Sequence, residues 1–173
     1  MKRDSNEEIR KDILRLGGDI IHSDRFQKAW NVRHHVDYNI AVHSLEVAGY
    51  ALIIARWLAR HGVHVSEEDV VRASLLHDIG MTEDNIFTRP SYIKAFSHPV
   101  EGRFIAMNEF GANRVQQNAI HRHMWPICMI PPHHLVGWVV MVADKTSASR
   151  EAKEVAKRKA KNRKKISDLF RKG

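Results

Sequence analysis

Ser66-Glu67-Glu68-Asp69-Val70-Val71-Arg72-Ala73-Ser74-Leu75-Leu76-His77-Asp78-Ile79-Gly80 is the stretch whose reading decides the fold. Ser66 with Asp69 three residues later is a helix-start signal, and Val70, Ala73, Leu76 and His77 recur at three- and four-residue steps. The stretch therefore reads as an amphipathic helix, with Gly80 as its left-handed terminator. His77 and Asp78 fall in its last turn. A histidine and an aspartate side by side at the end of an apolar helix can close on one metal ion, so this helix carries chemistry as well as shape.

The same periodicity extends outward on both sides, and nothing in the chain reads as a β-ladder. The expected fold is all-α, a compact helical bundle. Ser5 and Glu8 form a capping-box pattern ahead of Ile9, Ile13, Leu14 and Leu16, and Gly17-Gly18 is expected to stop that helix. A short helix holds Phe26 and Trp30. After a polar link over residues 31–39, a long helix over about 40–60 places Leu45, Ala48, Leu52 and Ala55 on one face, with Gly62 beyond its end and His43 near its start. Residues 81–97, with Pro90, Tyr92 and mixed polarity, read as a loop over the site. Pro99 suits the first turn of the next helix, His98 stands just ahead of it, and Gly111 closes it. A helix from about Asn113 carries Val115, Ala119 and His123 before Trp125-Pro126 interrupts it. His121 points about 200° away from His123 on that helix, so only one of the two can face inward, and the apolar companions favour His123. The last helix starts near His134 and passes through Leu135, Trp138, Val139 and Val142 to Asp144.

At 173 residues the chain suits one globular domain. Its first residues contain no apolar signal-like core, and the longest apolar run, residues 135–143, is far short of the roughly 18 residues of a membrane span. No membrane partner is expected. Cys128 is the only cysteine, which excludes an internal disulfide, makes thiolate metal chemistry unlikely and suits a reducing, cytoplasmic setting. The formal net charge of +8 resides entirely in residues 150–173, where eleven Lys or Arg face Glu151, Glu154 and Asp168. The expected organisation is thus a neutral domain over 1–149 and a basic helical tail over 150–173. That tail reads either as a solvated extension or as a contact for nucleic acid or another anionic surface.

Six residues stand out as ligands for divalent metal: His43, His77, Asp78, His98, His123 and Asp144. Asp144 ends an almost unbroken apolar run, so its helix is expected at the centre of the bundle. An isolated buried carboxylate there would be destabilising by several kcal/mol unless paired or bound to metal. A salt bridge to a lysine or arginine is the competing explanation. Lys145 points about 100° away and is free to meet a substrate phosphate. Imidazole with carboxylate suits Mn, Fe, Ni, Co or Mg, with Zn still accessible. His43, His77, Asp78 and Asp144 would hold one ion. Adding His98 and His123 would make a second site, with Asp78 bridging the two ions. His22, His61, His64 and His121 read as surface or core histidines without chemistry.

These motifs resemble the HD-domain superfamily of metal-dependent phosphohydrolases, whose ordered pattern is His, then His-Asp, then a distant Asp. Val42-His43-Ser44-Leu45-Glu46-Val47-Ala48 is similar to the segment of the first ligand, Leu75-Leu76-His77-Asp78-Ile79-Gly80 to the signature, and Ala143-Asp144-Lys145 to the last-ligand segment. Ser97-His98-Pro99 and Ile120-His121-Arg122-His123-Met124-Trp125-Pro126 resemble a group of small bacterial HD proteins of poorly defined substrate. There the histidine directly before Met-Trp-Pro corresponds to His123. His35 matches a position eight residues before the first ligand in that group, where it could contact substrate phosphate or act as an acid. The chain also departs from relatives: Met81 stands where some HD nucleotidases carry an acidic proton-transfer residue, and Glu83 and Asp84 are only its neighbours in sequence. The lysine and Gly-Tyr-Pro motif of the cyclic-dinucleotide branch are missing, so cyclic-dinucleotide cleavage is not expected.

The resulting expectation is a phosphohydrolase of one or two metal ions acting on a nucleotide or other small phosphoester through metal-bound hydroxide. Asp78 and Lys145 are the catalytic candidates, and Arg33, His35 and Lys94 the substrate-binding ones. The alternatives are a di-iron oxygenase of the HD type, or a nucleic-acid-binding module with a structural metal. Substrate identity and oligomeric state are not encoded in these motifs.

Overall fold

The computed structural model describes residues 5–35, 38–82 and 90–171, without the side chains of 33–35, 38, 91 and 158–171. Seven α-helices make up the described part: α1 (Asn6–Ile21), α2 (Asp24–Ala29), α3 (Ile40–Arg60), α4 (Glu67–Leu76), α5 (Ser91–Phe110), α6 (Arg114–Arg122) and α7 (Leu135–Arg171). A single 3₁₀ turn, Ile79–Thr82, follows α4. Strands β1 (Arg33–His35) and β2 (Tyr38–Asn39) form a short antiparallel ribbon where a plain polar link was expected, and the fold remains an all-α bundle.

Helix α4 lies at the centre, packed against α1, α3, α6 and α7. Its start is fixed by the Ser66 hydroxyl, which accepts from the Asp69 amide at 3.1 Å. Val70, Val71, Ala73, Leu75 and Leu76 are all fully buried, and side chains of the Val and Leu size contribute roughly 1.5–3 kcal/mol each when taken from water. Helix α3 packs against it and buries Ala48, Ala51, Leu52 and Ala55. Taken alone, α3 is long and apolar enough to cross a membrane, but half of that apolar window is buried in the bundle and it carries the buried His43. It is a core helix. Along α7 the buried stripe runs Val136, Val139, Val140, Ala143, and then continues through Ser147 and Glu151.

Three expectations about glycine and proline are corrected, each for a packing reason. Gly17-Gly18 do not stop α1: the backbone departs from helical angles only at Gly17 (φ −142°, ψ 19°), and the helix resumes to Ile21. A side chain at Gly17 would overlap the Leu75 methyl, so the glycine admits α4. Gly80 does not adopt a left-handed conformation; among the described glycines only Gly62 and Gly111 have positive φ. Its role is close approach: a Cβ there would strike the His98 carbonyl oxygen and lie 2.7 Å from the Gly102 amide nitrogen. Helix α5 thus crosses the turn after α4 at backbone-to-backbone distance. Pro99 does not begin α5 but lies inside it, and α5 starts at Ser91, so 91–97 are helical while 83–89 fall outside the described residues. Proline deprives only the Ala95 carbonyl of its helical partner, and the Cys128 thiol approaches that oxygen at 4.0 Å.

Since Gly80 admits no side chain without displacing α5, Gly80→Ala should destabilise the protein by about 1–3 kcal/mol, the usual range for overpacking. Urea unfolding of the two proteins, compared by midpoint, measures this; an unchanged midpoint would contradict the tight crossing.

Candidate metal centre

Five elements aim six side chains at one buried volume. His43 comes from the first turn of α3, which the Asn39 side chain caps by accepting from the Val42 amide at 2.8 Å. His77 is the residue that ends α4, and Asp78 follows it before the 3₁₀ turn. His98 lies in α5, brought in by the Gly80 crossing. His123 ends α6 and Asp144 sits in α7. The structure therefore brings together all six residues singled out as metal ligands. His121, by contrast, lies half-buried on the other face of α6.

Asp78 stands in the middle with its two oxygens turned to different neighbours. Oδ2 lies 3.4 Å from His77 Nε2 and 3.9 Å from His43 Nε2; Oδ1 lies 3.2 Å from His98 Nε2 and 3.4 Å from His123 Nε2. Asp144 Oδ1 completes the first side, 3.1 Å from His43 Nε2 and 3.8 Å from His77 Nε2. Two clusters of potential ligand atoms result, His43/His77/Asp144 and His77/Asp78/His123, each spanning no more than 4.8 Å.

The outward-facing ring nitrogens are all tied down. His77 Nδ1 donates to the Ser74 carbonyl at 2.7 Å, His98 Nδ1 to the Lys94 carbonyl at 2.6 Å, and His123 Nδ1 to the Ile120 carbonyl at 2.7 Å. His43 Nδ1 donates instead to Glu151 Oε1 at 2.8 Å. A carbonyl or carboxylate oxygen only accepts, so each Nδ1 carries the proton and each Nε2 can present its lone pair inward. Metal-binding histidines are held in this way.

The residues fit a metal. His77 Nε2 is buried and has no hydrogen-bond partner, an orphan that a cation would satisfy. His98 Nε2 and His123 Nε2 face each other at 3.1 Å, and with both protons committed to backbone carbonyls their lone pairs repel unless a positive centre lies nearby. Electrostatics point the same way. Burial pulls His77 down to about 4, so it is neutral at physiological pH. Burial also opposes a charge on His43, yet its bonds to Asp144 and Glu151 outweigh this and push it up to about 10. Asp144 resists desolvation through His43 and the neighbouring imidazoles, and stays at about 2. Without metal, a proton on His43 supplies part of the missing positive charge, and a bound cation must displace it.

The candidate substrate groups are placed less uniformly. Lys145 is exposed, one residue beyond Asp144, with Nζ 3.4 Å from the His123 carbonyl. Lys94 lies in the first turn of α5, half-buried, where its carbonyl anchors His98. The side chains of Arg33 and His35 lie outside the described residues, as do Glu83 and Asp84. One residue at the centre was missed by sequence reasoning: Glu151, 2% exposed, which holds His43. Ser147 lies between two carboxylates, its hydroxyl 3.0 Å from Glu46 Oε2 and 3.5 Å from Glu151 Oε1, and can donate its one proton to either. The usable signal was spacing, since Asp144, Ser147 and Glu151 fall at helical intervals on one face of α7. Glu151 lies just past the boundary expected at 149/150, which falls inside the continuous α7.

Comparison with curated proteins and with solved structures returns no significant match. The family profile described as HD domain matches residues 40–149, a span that contains all six converging residues. The match covers well over half of the chain, and the protein belongs to the HD-domain family, a superfamily of mostly metal-dependent phosphohydrolases.

Proposed function

We propose that the protein is a metal-dependent phosphohydrolase that cleaves a nucleotide or another small phosphoester. The observation that carries this reading is Asp78, whose two oxygens face two different sets of imidazole nitrogens, as a carboxylate shared by neighbouring cations must. His43, His77, Asp78 and Asp144 would hold one ion, and Asp78, His98 and His123 a second. Divalent metal of the Mn, Fe, Ni, Co, Mg or Zn type would supply polarisation of a phosphoryl oxygen and activation of water.

The chain's own groups account for binding and orientation. Asp144 has the most exposed side chain of the four site residues His43, His77, Asp78 and Asp144, 15% against 5% or less, so access to the centre lies on its side. Lys145 stands there as a cationic side chain suited to a phosphate oxygen. Glu151 fixes the ring plane and tautomer of His43, and so positions a ligand without touching the substrate.

Elemental analysis of purified protein, followed by a phosphoester panel with each candidate ion, tests the reading. Metal at or above one equivalent with hydrolysis of at least one ester is the expected result. Iron with substrate-dependent dioxygen consumption would move the protein to the oxygenases instead. Asp78→Ala should abolish metal retention and turnover together, whereas Lys145→Ala should raise KM about tenfold with metal content unchanged. Glu151→Ala should weaken Mn²⁺ binding about 10- to 100-fold by calorimetry, with Glu151→Gln, which can still accept from Nδ1, closer to the parent. Equal affinity in all three proteins would remove Glu151 from the scheme.

A further inference from the structure

On α6, residues 114, 117, 121 and 122 share a face opposite the one that buries Ala119, Ile120 and His123. Between that outer face and α5 lies a cleft of about 400 Å³, lined by Arg103 and Met107 of α5 and by Arg114, Gln117, His121 and Arg122 of α6. Among the described residues, no carboxylate lines it. Of the acids carried near these helices, Asp69 accepts from Asn113 at 2.8 Å and from Gln116 at 2.7 Å, and Glu109 pairs with Arg25. Arg103 Nε donates to the neutral Gln117 side chain at 3.4 Å, and Arg122 Nε is buried without a hydrogen-bond partner.

Three arginines line this one cleft with no carboxylate among its described lining residues, and like charges gathered in that way are relieved by an anion. Guanidinium forks match the spacing of phosphate oxygens, and the volume falls within the range of small-molecule sites.

We propose that the cleft between α5 and α6 binds the phosphate group of a small phosphorylated molecule, at a site separate from the metal centre. Two or three arginines grip the phosphate, while Gln117 and Met107 offer a polar edge and an apolar surface to whatever the phosphate carries. The proposal does not depend on phosphoester hydrolysis at the metal centre.

The test is calorimetric titration of the full-length, metal-containing protein with inorganic phosphate and, separately, with adenosine monophosphate. Arg114→Gln and Arg122→Gln are compared with the parent after metal content and Tm are found unchanged. Arg114 is exposed on the helix surface, so its replacement leaves the core intact. Binding at least tenfold weaker in both variants supports the site; tighter binding of the nucleotide than of phosphate identifies a phosphoester ligand, and equal binding identifies the free anion. No binding in the parent at millimolar ligand overturns the proposal. So does binding that chelation removes and neither arginine substitution affects, because that ligand sits on the metals.

Discussion

A carboxylate in the middle of a helical bundle, surrounded by imidazoles and shut off from water, is tolerable only if positive charge comes with it. Asp78 is that carboxylate, and the rest of the architecture follows from keeping it supplied. Helix α4 ends one residue before His77, so the signature pair leaves the helix at the point where α3, α5, α6 and α7 can all reach it. Each of the four histidines is braced from behind through Nδ1, three by backbone oxygens three or four residues earlier and one by Glu151. The three local braces come with the helices themselves, at the ends of α4 and α6 and within α5. The fourth has to be brought from 108 residues away.

Glycine makes the geometry compact. Gly80 and Gly102 let α5 lie against the turn after α4, and it is this contact that sets His98 beside Asp78. Gly17 does the same for α1 against Leu75. At Gly80 the missing side chain decides how near two backbones can come, and at Gly17 it leaves room for the Leu75 side chain.

Much of this was legible in the chain because the signals are local. The His77-Asp78 pair sits at the end of an obvious amphipathic helix, Asp144 terminates an apolar run, and Ser66 and Ser5 announce their helices by capping chemistry. His123 was separable from His121 by helical phase alone. What escaped was whatever depends on a partner distant in sequence. Gly80 reads as a terminator until Gly102 is seen against it. Pro99 reads as a helix start because proline is a strong punctuation mark, although only one backbone bond is lost at Ala95. Glu151 reads as one of a few acids diluting a basic segment, since nothing near it in sequence announces His43.

The unbroken run of α7 also bears on where this molecule can be shortened. The family profile ends at residue 149, a natural place to trim, yet the carboxylate that steadies His43 comes two residues later on the same rod. A fragment cut at that edge would keep all six converging side chains and lose the anchor of one of them. Any minimal version meant to preserve cation binding has to extend at least a full helical turn past Glu151, with affinity tags or fusions placed beyond that point.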